Sequence, residues 1–240
     1  MVIPIVLYTN FEYSFLWKAA IPLLQRYAAN FKIYWITDSV GDYQMPADWE
    51  VRFYDPILPW SSRVGQVLKE IPDEYVIYLQ EDWLLIDTLS ADRLAGFVNF
   101  MKERSCEFLM SHPFPWTGTP YFIEFGGVHI YAMPCHYMQP AIWKKTLLEE
   151  VCSVPRGIKD YEDMNCFAIT STRNCLGVVN RDYKSKLCHM TASPLFPHMH
   201  AIIKGAWTFK KYPALKALVE AHGIDTTKRG INDDWFIEFQ

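Results

Sequence analysis

The sequence predicts an α/β fold in which helices flank a mostly parallel central sheet. Three short apolar segments, residues 3–8, 31–36 and 75–79, each end in polar residues, and an amphipathic segment follows the first of them. Buried parallel strands are nearly continuous apolar runs, whereas helices that cover a sheet carry apolar residues three to four positions apart. The alternation of these two patterns therefore indicates βαβ units.

The first half of the chain is predicted to alternate strands and helices. Each strand is a β-branched or aromatic run that ends in turn-forming residues, and each helix shows an apolar stripe. In chain order we predict a strand at 3–8, a helix at 12–29, strands at 31–36 and 51–54, a helix at 62–70, a strand at 75–79 and a helix at 91–103.

The second half has a different texture. Residues 106–140 are rich in Pro, Gly and aromatic residues, which predicts irregular sheet and loops. Strands are predicted at 107–111 and 128–133, and helices at 143–151, 161–171 and 212–222. No repeat or charged linker divides the chain, so we expect a single domain over residues 1–240, with halves at 1–105 and 106–210 and a C-terminal helix and tail at 211–240.

The composition excludes several classes of function. Half of the 240 residues are hydrophobic and 21% are charged, as in a globular protein. A net charge of -4 gives no field that would favour nucleic acid or an anionic lipid surface. Apolar runs are too short for a membrane span, the first residues lack a basic leader, and the six cysteines show no C-x-x-C spacing. These features predict a cytoplasmic protein.

The sharpest chemical feature is a pair of adjacent carboxylates, Glu81 and Asp82, at the end of the apolar strand 75–79. A carboxylate is costly to bury unless it has a partner. A hard divalent cation, Mg²⁺ or Mn²⁺, that bridges protein oxygens to diphosphate oxygens would be such a partner. The alternative is that the two residues cap the strand end or form salt bridges there.

The order of these features resembles the nucleotide-sugar half of GT-A fold glycosyltransferases. The metal motif of that family is usually Asp-x-Asp, and this chain departs from it by offering Gln80-x-Asp82 or the pair Glu81-Asp82. The residues that carry the resemblance are Thr9-Asn10, Thr37-Asp38, Ser62-Arg63 and Gln80-Glu81-Asp82, each after a predicted strand or in a predicted helix.

The resemblance implies roles for these residues. It places a nucleotide-diphosphate sugar on Thr9, Asn10 and Asp38, and it gives Arg63 a contact with the nucleotide or diphosphate. A surface ion pair is the alternative for Arg63. The resemblance also implies that Mn²⁺ or Mg²⁺ binds at Glu81 and Asp82, and it assigns residues 1–105 to the nucleotide-sugar-binding half and residues 106–210 to the acceptor side.

On the acceptor side, Glu162 and Asp163 resemble the Glu-Asp pair that many inverting members place at the start of a helix. Independently of the family, an acceptor hydroxyl that attacks an anomeric carbon needs a carboxylate to take its proton. Asp163 ranks first, because the family places the base on the second residue of such a pair. The alternative is that both acids only complement the dipole of a helix start.

Near the end of the chain, residues 196–207 resemble the C-terminal loop of GT-A enzymes, in which a late His binds the metal and a basic residue contacts the diphosphate. His198 and His200 are the predicted metal ligands, and Lys204 and Trp207 are predicted to contact the donor. A structural role is the alternative for either histidine.

The leading hypothesis is therefore a glycosyltransferase, inverting and metal-dependent, that moves a sugar from a nucleotide-diphosphate sugar to a carbohydrate acceptor. A nucleotidyltransferase is one alternative, although its Gly-rich basic loop is missing after the first strand, where the sequence is Thr-Asn-Phe-Glu. A non-catalytic nucleotide- or sugar-binding module is the other. No nucleic-acid partner and no membrane span are expected.

Overall fold

A nine-stranded mixed sheet flanked by helices dominates the described residues of the structure, which is a computed structural model of the chain. The strand order is β3-β2-β1-β4-β9-β6-β10-β8-β7, which confirms the predicted α/β fold with a large central sheet. The structure describes residues 3–111, 123–133, 139–157, 174–180 and 190–232.

The four strands that the first half contributes to this sheet are parallel to one another, in the order β3-β2-β1-β4. Nearly all side chains of β1, β2 and β4 are buried, which explains their continuous Val, Ile, Leu and aromatic composition. Because the strands are parallel, their carboxyl ends lie at one edge of the sheet. The elements are β1 (Ile5–Tyr8), α1 (Ser14–Tyr27), β2 (Ile33–Thr37), β3 (Glu50–Phe53), α2 (Trp60–Leu68) and β4 (Tyr75–Gln80).

The strands of the second half join this parallel sheet through β9, which lies antiparallel between β4 and β6. The sheet therefore includes strands from both sides of the boundary predicted at 105/106. The elements are β5 (Trp83–Leu85), α3 (Ala91–Glu103), β6 (Phe108–Ser111), β7 (Ile123–Phe125), β8 (Val128–Ala132), β9 (Ala141–Lys144), α4 (Lys145–Cys152) and β10 (Cys175–Asn180).

The helix predicted at 143–151 begins two residues later than expected. Trp143 belongs to β9, where it is fully buried between Val76 of β4 and Phe108 of β6. An aromatic residue packs well on a pleated surface between two strands. The helix α4 therefore starts at Lys145.

In its described residues, 190–232, the C-terminal part forms two small sheets and one α-helix. These are β11 (His198–His200), which pairs antiparallel with β5, the hairpin of β12 (Ile202–Ile203) and β13 (Ala206–Trp207), and the helix α5 (Pro213–Ala221). Lys204 and Gly205 connect the hairpin strands with φ of 52° and 78°. Positive φ at both central residues is typical of the type I′ turn that two-residue hairpins prefer.

Helix α1 is buried on two sides, which fixes the C-terminal part onto the sheet domain. Trp17 and Leu24 pack into the main core around the sheet. Leu16, Ala19, Ala20 and Leu23 pack into a second core with Trp207, Leu215 and Val219 from the hairpin and α5. Because α1 is buried on two sides, its apolar residues occupy more than one stripe along the helix surface.

Most predicted elements of the first half occur within one or two residues of their predicted bounds, and the helix predicted at 212–222 is α5. The helix predicted at 161–171 lies outside the described residues. Among the helices that the structure describes, none combines the length and the apolar character that crossing a membrane requires.

Candidate active site at the carboxyl edge of the parallel strands

The predicted carboxylate pair forms the turn between β4 and β5. Gln80, the last residue of β4, is in register with Tyr8, the last residue of β1, so the pair lies beside the end of the first strand. Glu81 is 6% exposed and the side chain of Asp82 is 14% exposed. Both carboxylates are thus largely removed from water, at the edge where the parallel strands end.

His200 contacts Asp82 because β11 pairs with β5. The register aligns His200 with Trp83, the neighbour of Asp82, and the backbone N–H of Ala201 donates to the carbonyl oxygen of Asp82 at 2.7 Å. The Nε2 atom of His200 lies 3.0 Å from Oδ2 of Asp82. The other carboxylate oxygen, Oδ1, is buried and has no hydrogen-bond donor among the described residues.

Glu81 is the more deeply buried of the two acids, and its surroundings favour the neutral carboxyl group. Burial raises the pKa of Glu81 well above its usual value, and the adjacent charge of Asp82 raises it further. A hydrogen bond with Thr9 acts in the opposite direction but is a smaller effect. The Thr9 hydroxyl also accepts a hydrogen bond from the Trp17 indole N–H at 2.8 Å.

We expect Glu81→Gln to stabilise the metal-free protein, and increasingly so as the pH rises from 4.5 to 8. Because the pKa of Glu81 is raised in the folded state, its carboxyl group is protonated to a greater extent in the folded than in the unfolded protein above pH 4.5. The free energy of unfolding of the wild type therefore falls as the pH rises. Glutamine removes that loss. Each unit of pKa difference corresponds to about 1.4 kcal/mol, and about 1 kcal/mol moves the Tm of a chain of this size by about 2–4 °C.

The measurement is Tm against pH in EDTA, with Glu103→Gln as the matched control because Glu103 is an exposed glutamate at the end of α3. The control should follow the wild-type curve. Parallel curves for Glu81→Gln and wild type would show that the folded protein does not favour protonated Glu81.

The two predicted histidine ligands have different surroundings. His198 is buried, its Nδ1 atom lies 2.6 Å from the carbonyl oxygen of Phe196, and burial lowers its pKa to about 4. In β11 it is aligned with Leu85, farther from Asp82 than His200 is. In the described part of the chain, no three His, Cys, Asp or Glu side chains are grouped to bind one metal ion. The predicted four-residue ligand set is therefore not assembled, and Asp82 and His200 are the members in direct contact.

The residues after β1 and β2 meet at the same edge. The side chain of Asp38 accepts a hydrogen bond from the backbone N–H of Phe11 at 2.7 Å, and that of Asn10 caps the 3₁₀ turn Phe11–Tyr13. Asn10 and Asp38 are partly exposed, whereas Thr9 is fully buried. Thr9 thus lies beneath the surface on which a donor contact was predicted.

Gly41 allows the loops after β1 and β2 to pack closely against each other. Its φ is +50°, and a Cβ atom at this position would lie 2.6 Å from the ring of Phe11. The ring of Phe11 also makes an edge contact with Trp17. The positive φ favours glycine at this position, and a Cβ atom would require the Phe11 ring to move.

Arg63 is fixed by neutral groups. Its guanidinium donates to the carbonyl oxygens of Leu58 and Pro56, both at 2.6 Å, and to the hydroxyl of Tyr8 at 3.0 Å. It also lies 5.0 Å from the ring centre of Tyr54. Among the described residues no carboxylate pairs with Arg63, so its positive charge is oriented but not neutralised.

Tyr54 connects Arg63 to the residues after β1. The Tyr54 hydroxyl donates to the carbonyl oxygen of Thr9 at 2.9 Å, and its ring stacks on that of Tyr8. Arg63 therefore lies at the same edge of the sheet as the residues that follow β1.

Of the remaining predicted residues, two lie in or beside the turn of the β12–β13 hairpin and two lie outside the described residues. Lys204 is exposed at the hairpin turn. Trp207 is fully buried between Phe15 and Phe209 and offers no open ring face, contrary to the prediction of a donor contact. The predicted bases Glu162 and Asp163 are not among the described residues.

Two residues near the acidic pair were not predicted. The guanidinium of Arg229 lies 4.9 Å from the ring centre of Tyr13 and 4.6 Å from that of Phe15. Burial raises the pKa of Tyr13, the charge of Arg229 counteracts this, and the charges of Asp82 and Glu81 add to the increase. The Lys228-Arg229 pair was the available sequence clue, but it lies in a segment predicted only as a tail.

No protein-family model and no curated protein matches the chain. Among solved structures, it is similar to the bifunctional IspDF from Campylobacter jejuni, with 13% identity and a TM-score of 0.45 over 82% of this chain and 55% of that one. A cytidylyltransferase from Leptospira borgpetersenii serovar Hardjo-bovis shows 15% identity and a TM-score of 0.45 over 75% of this chain and 77% of that chain.

A third similar structure is TarS 1-349 from S. aureus, with 10% identity and a TM-score of 0.45 over 92% of this chain and 65% of that one. The chain thus spans about half the length of IspDF and about two thirds of TarS 1-349. At this level of similarity, any functional conclusion has to come from the geometry of the site.

Proposed function

We propose that the protein is a glycosyltransferase that binds a nucleotide-diphosphate sugar at the carboxyl edge of β1, β2 and β4. The sugar is transferred to a hydroxyl group of a carbohydrate acceptor with inversion at the anomeric carbon. A divalent metal ion, Mn²⁺ or Mg²⁺, binds at Asp82 and His200.

The observation that carries this proposal is the buried oxygen Oδ1 of Asp82, which has no donor among the described residues, on a carboxylate whose other oxygen, Oδ2, contacts His200. A buried carboxylate oxygen without a partner is unfavourable, and nearly all such groups in proteins have one. A divalent cation would provide that partner, because carboxylate oxygen and imidazole nitrogen are both common ligands of Mn²⁺.

The residues present fit a metal ion with open positions. Asp82 would supply an oxygen ligand and His200 a nitrogen ligand, and the donor diphosphate would supply further oxygens. When bound, the ion neutralises the negative charge that develops on the leaving diphosphate.

The rest of the edge suits the other parts of the donor. Asn10 and Asp38 are partly exposed polar groups that would contact the nucleoside, and Asp38 is already oriented by the Phe11 N–H. Arg63 carries a charge that no described carboxylate neutralises, which suits a phosphate oxygen. We also propose that the exposed Lys204 contacts the diphosphate as a point charge.

Transfer with inversion is a single displacement. The acceptor oxygen forms a bond to the anomeric carbon as the bond from that carbon to the diphosphate oxygen breaks, and a carboxylate takes the hydroxyl proton. We propose Asp163 as this base, with Glu162 as the second candidate.

A thermal-shift panel of nucleotide diphosphates, nucleotide triphosphates and nucleotide sugars, each with Mn²⁺ or with EDTA, tests the function. A ligand at about 100 times its Kd stabilises the folded state by about 2.7 kcal/mol, which corresponds to a rise in Tm of roughly 5–10 °C here. We expect a nucleotide-diphosphate sugar to produce this rise only with Mn²⁺. A rise with nucleotide triphosphates alone would instead favour a nucleotidyltransferase.

A further inference from the structure

A second concave surface lies between the start of α1 and the C-terminal part of the chain, and it is not part of the proposed donor site. This cleft has a volume of about 550 Å³ and is formed by α1, the β12–β13 turn, the end of α5 and the segment after it. Small-molecule sites in proteins typically occupy about 300–1,000 Å³. Its lining includes Phe15, Lys18, Gly205, Gly223, Ile224, Asp225, Lys228 and Arg229, with the buried Trp207 behind them.

The cleft carries an excess of positive charge. Among the described residues that line it, three side chains are cationic, Lys18, Lys228 and Arg229, and one is acidic, Asp225. Asp225 already accepts hydrogen bonds from the backbone N–H of Thr227 at 3.0 Å and from its hydroxyl at 2.6 Å. Its distance to the Lys228 amino group is 3.9 Å, at the outer limit of an ion pair. A single carboxylate that already accepts two hydrogen bonds cannot neutralise three cations.

The other two cations are oriented by backbone carbonyl groups. The amino group of Lys18 lies 3.4 Å from the carbonyl oxygen of Gly223, and Arg229 donates to that of Gly205 at 3.2 Å. The aromatic contacts of Arg229 with Tyr13 and Phe15 hold its guanidinium in place. Among the described residues neither Lys18 nor Arg229 pairs with a carboxylate, so both can still bind an anion.

We propose that this cleft binds a small organic phosphate. Phosphate oxygens accept from Lys18, Lys228 and Arg229, and the carbon part of the ligand packs on Phe15 and Ile224. Three cations around one cleft suit the several oxygens of a phosphate group better than a single carboxylate. The proposal does not depend on the glycosyltransferase activity.

The test is isothermal titration with phenyl phosphate, which combines a phosphate with an apolar ring, at low ionic strength. We expect the double variant Lys18→Gln/Lys228→Gln to bind at least about tenfold more weakly than wild type, since a hydrogen bond to a charged group typically contributes that much. Lys216→Gln is the matched control: Lys216 is an exposed lysine on α5 that does not line the cleft, and its affinity should be unchanged.

Three outcomes of the titration would overturn the proposal. The first is that the wild type does not bind phenyl phosphate, and the second is that the double variant binds it as tightly as the wild type does. The third is that Asp82→Asn loses affinity for phenyl phosphate while the double variant retains it. The last would place the anion in the donor site. Binding to phosphatidylcholine vesicles that contain phosphatidic acid, without binding of phenyl phosphate, would also contradict a small-molecule site. If the protein binds phenyl phosphate but no nucleotide sugar stabilises it, the proposed anion site stands and the proposed glycosyltransferase function does not.

Discussion

Asp82→Asn is expected to abolish metal-dependent binding of the nucleotide-diphosphate sugar while the fold stays intact. Asparagine keeps the size of the side chain and can still contact His200, but it removes the negative charge that a divalent cation requires. Changing even the groups that support a metal ligand typically costs 10–100-fold in metal affinity or activity, so loss of the ligand itself should cost more than about 100-fold. Titration of the donor in the presence of Mn²⁺ measures this directly.

The control for this variant is Asp92→Asn, which removes an exposed aspartate from the first turn of α3. It loses only a favourable interaction with the helix dipole, worth a few tenths of a kcal/mol to about 1 kcal/mol, and should bind donor and metal normally. Asp82→Asn should unfold cooperatively, like wild type. An unchanged Mn²⁺ dependence in Asp82→Asn would remove Asp82 from the proposed metal site.

The carboxyl edge of the sheet was predictable because each strand and its polar end are adjacent in the sequence. β1, β2 and β4 are buried on both faces, so their apolar runs are continuous, and the change to Asn10, Asp38 or Glu81 marks where each strand ends. Parallel pairing then brings these residues to one edge, as the general rule for open α/β sheets states.

The contacts that complete the site depend on pairings over long separations. His200 and Asp82 are 118 residues apart, and they meet because two three-residue strands, β5 and β11, pair with each other. Such short strands have too few residues for a recognisable period. The contact of Arg229 with Tyr13 likewise depends on how the end of the chain packs beside α1, which local sequence does not encode.

Burial also separates residues that look equivalent in the sequence. His198 and His200 belong to the same short motif, yet one is buried against a backbone carbonyl and the other contacts Asp82. Thr9 and Asn10 are neighbours, but Thr9 bonds to Trp17 in the core while Asn10 remains partly exposed. These differences arise from tertiary packing, so residue type and spacing could not distinguish the members of each pair.

The general base is the remaining component of the proposed displacement, and it separates a transferase from a binding module. The carboxylate has to lie on the face of the donor sugar opposite the diphosphate, next to the acceptor hydroxyl. Donor binding at Asp82 and His200 does not require this group. A variant that binds donor normally but does not transfer the sugar would therefore assign the base independently of the metal site.

Asp163→Asn is expected to lower the rate of sugar transfer by about 10²-fold or more while donor affinity persists, the scale typical of a positioned general base. Asparagine keeps the shape and hydrogen-bonding capacity of the side chain but cannot take up the proton of the acceptor hydroxyl. Single-turnover transfer to a saccharide that wild type accepts gives the rate, and titration of the donor with Mn²⁺ gives the affinity, with Asp92→Asn as the control.

Glu162→Gln should be measured separately, because a large loss of transfer in that variant with normal transfer by Asp163→Asn would assign the base to Glu162. Near-normal transfer by both variants would exclude the pair and direct the search to Glu124, Asp160 and Asp182, whereas loss of donor binding in Asp163→Asn would assign that residue to the donor site instead.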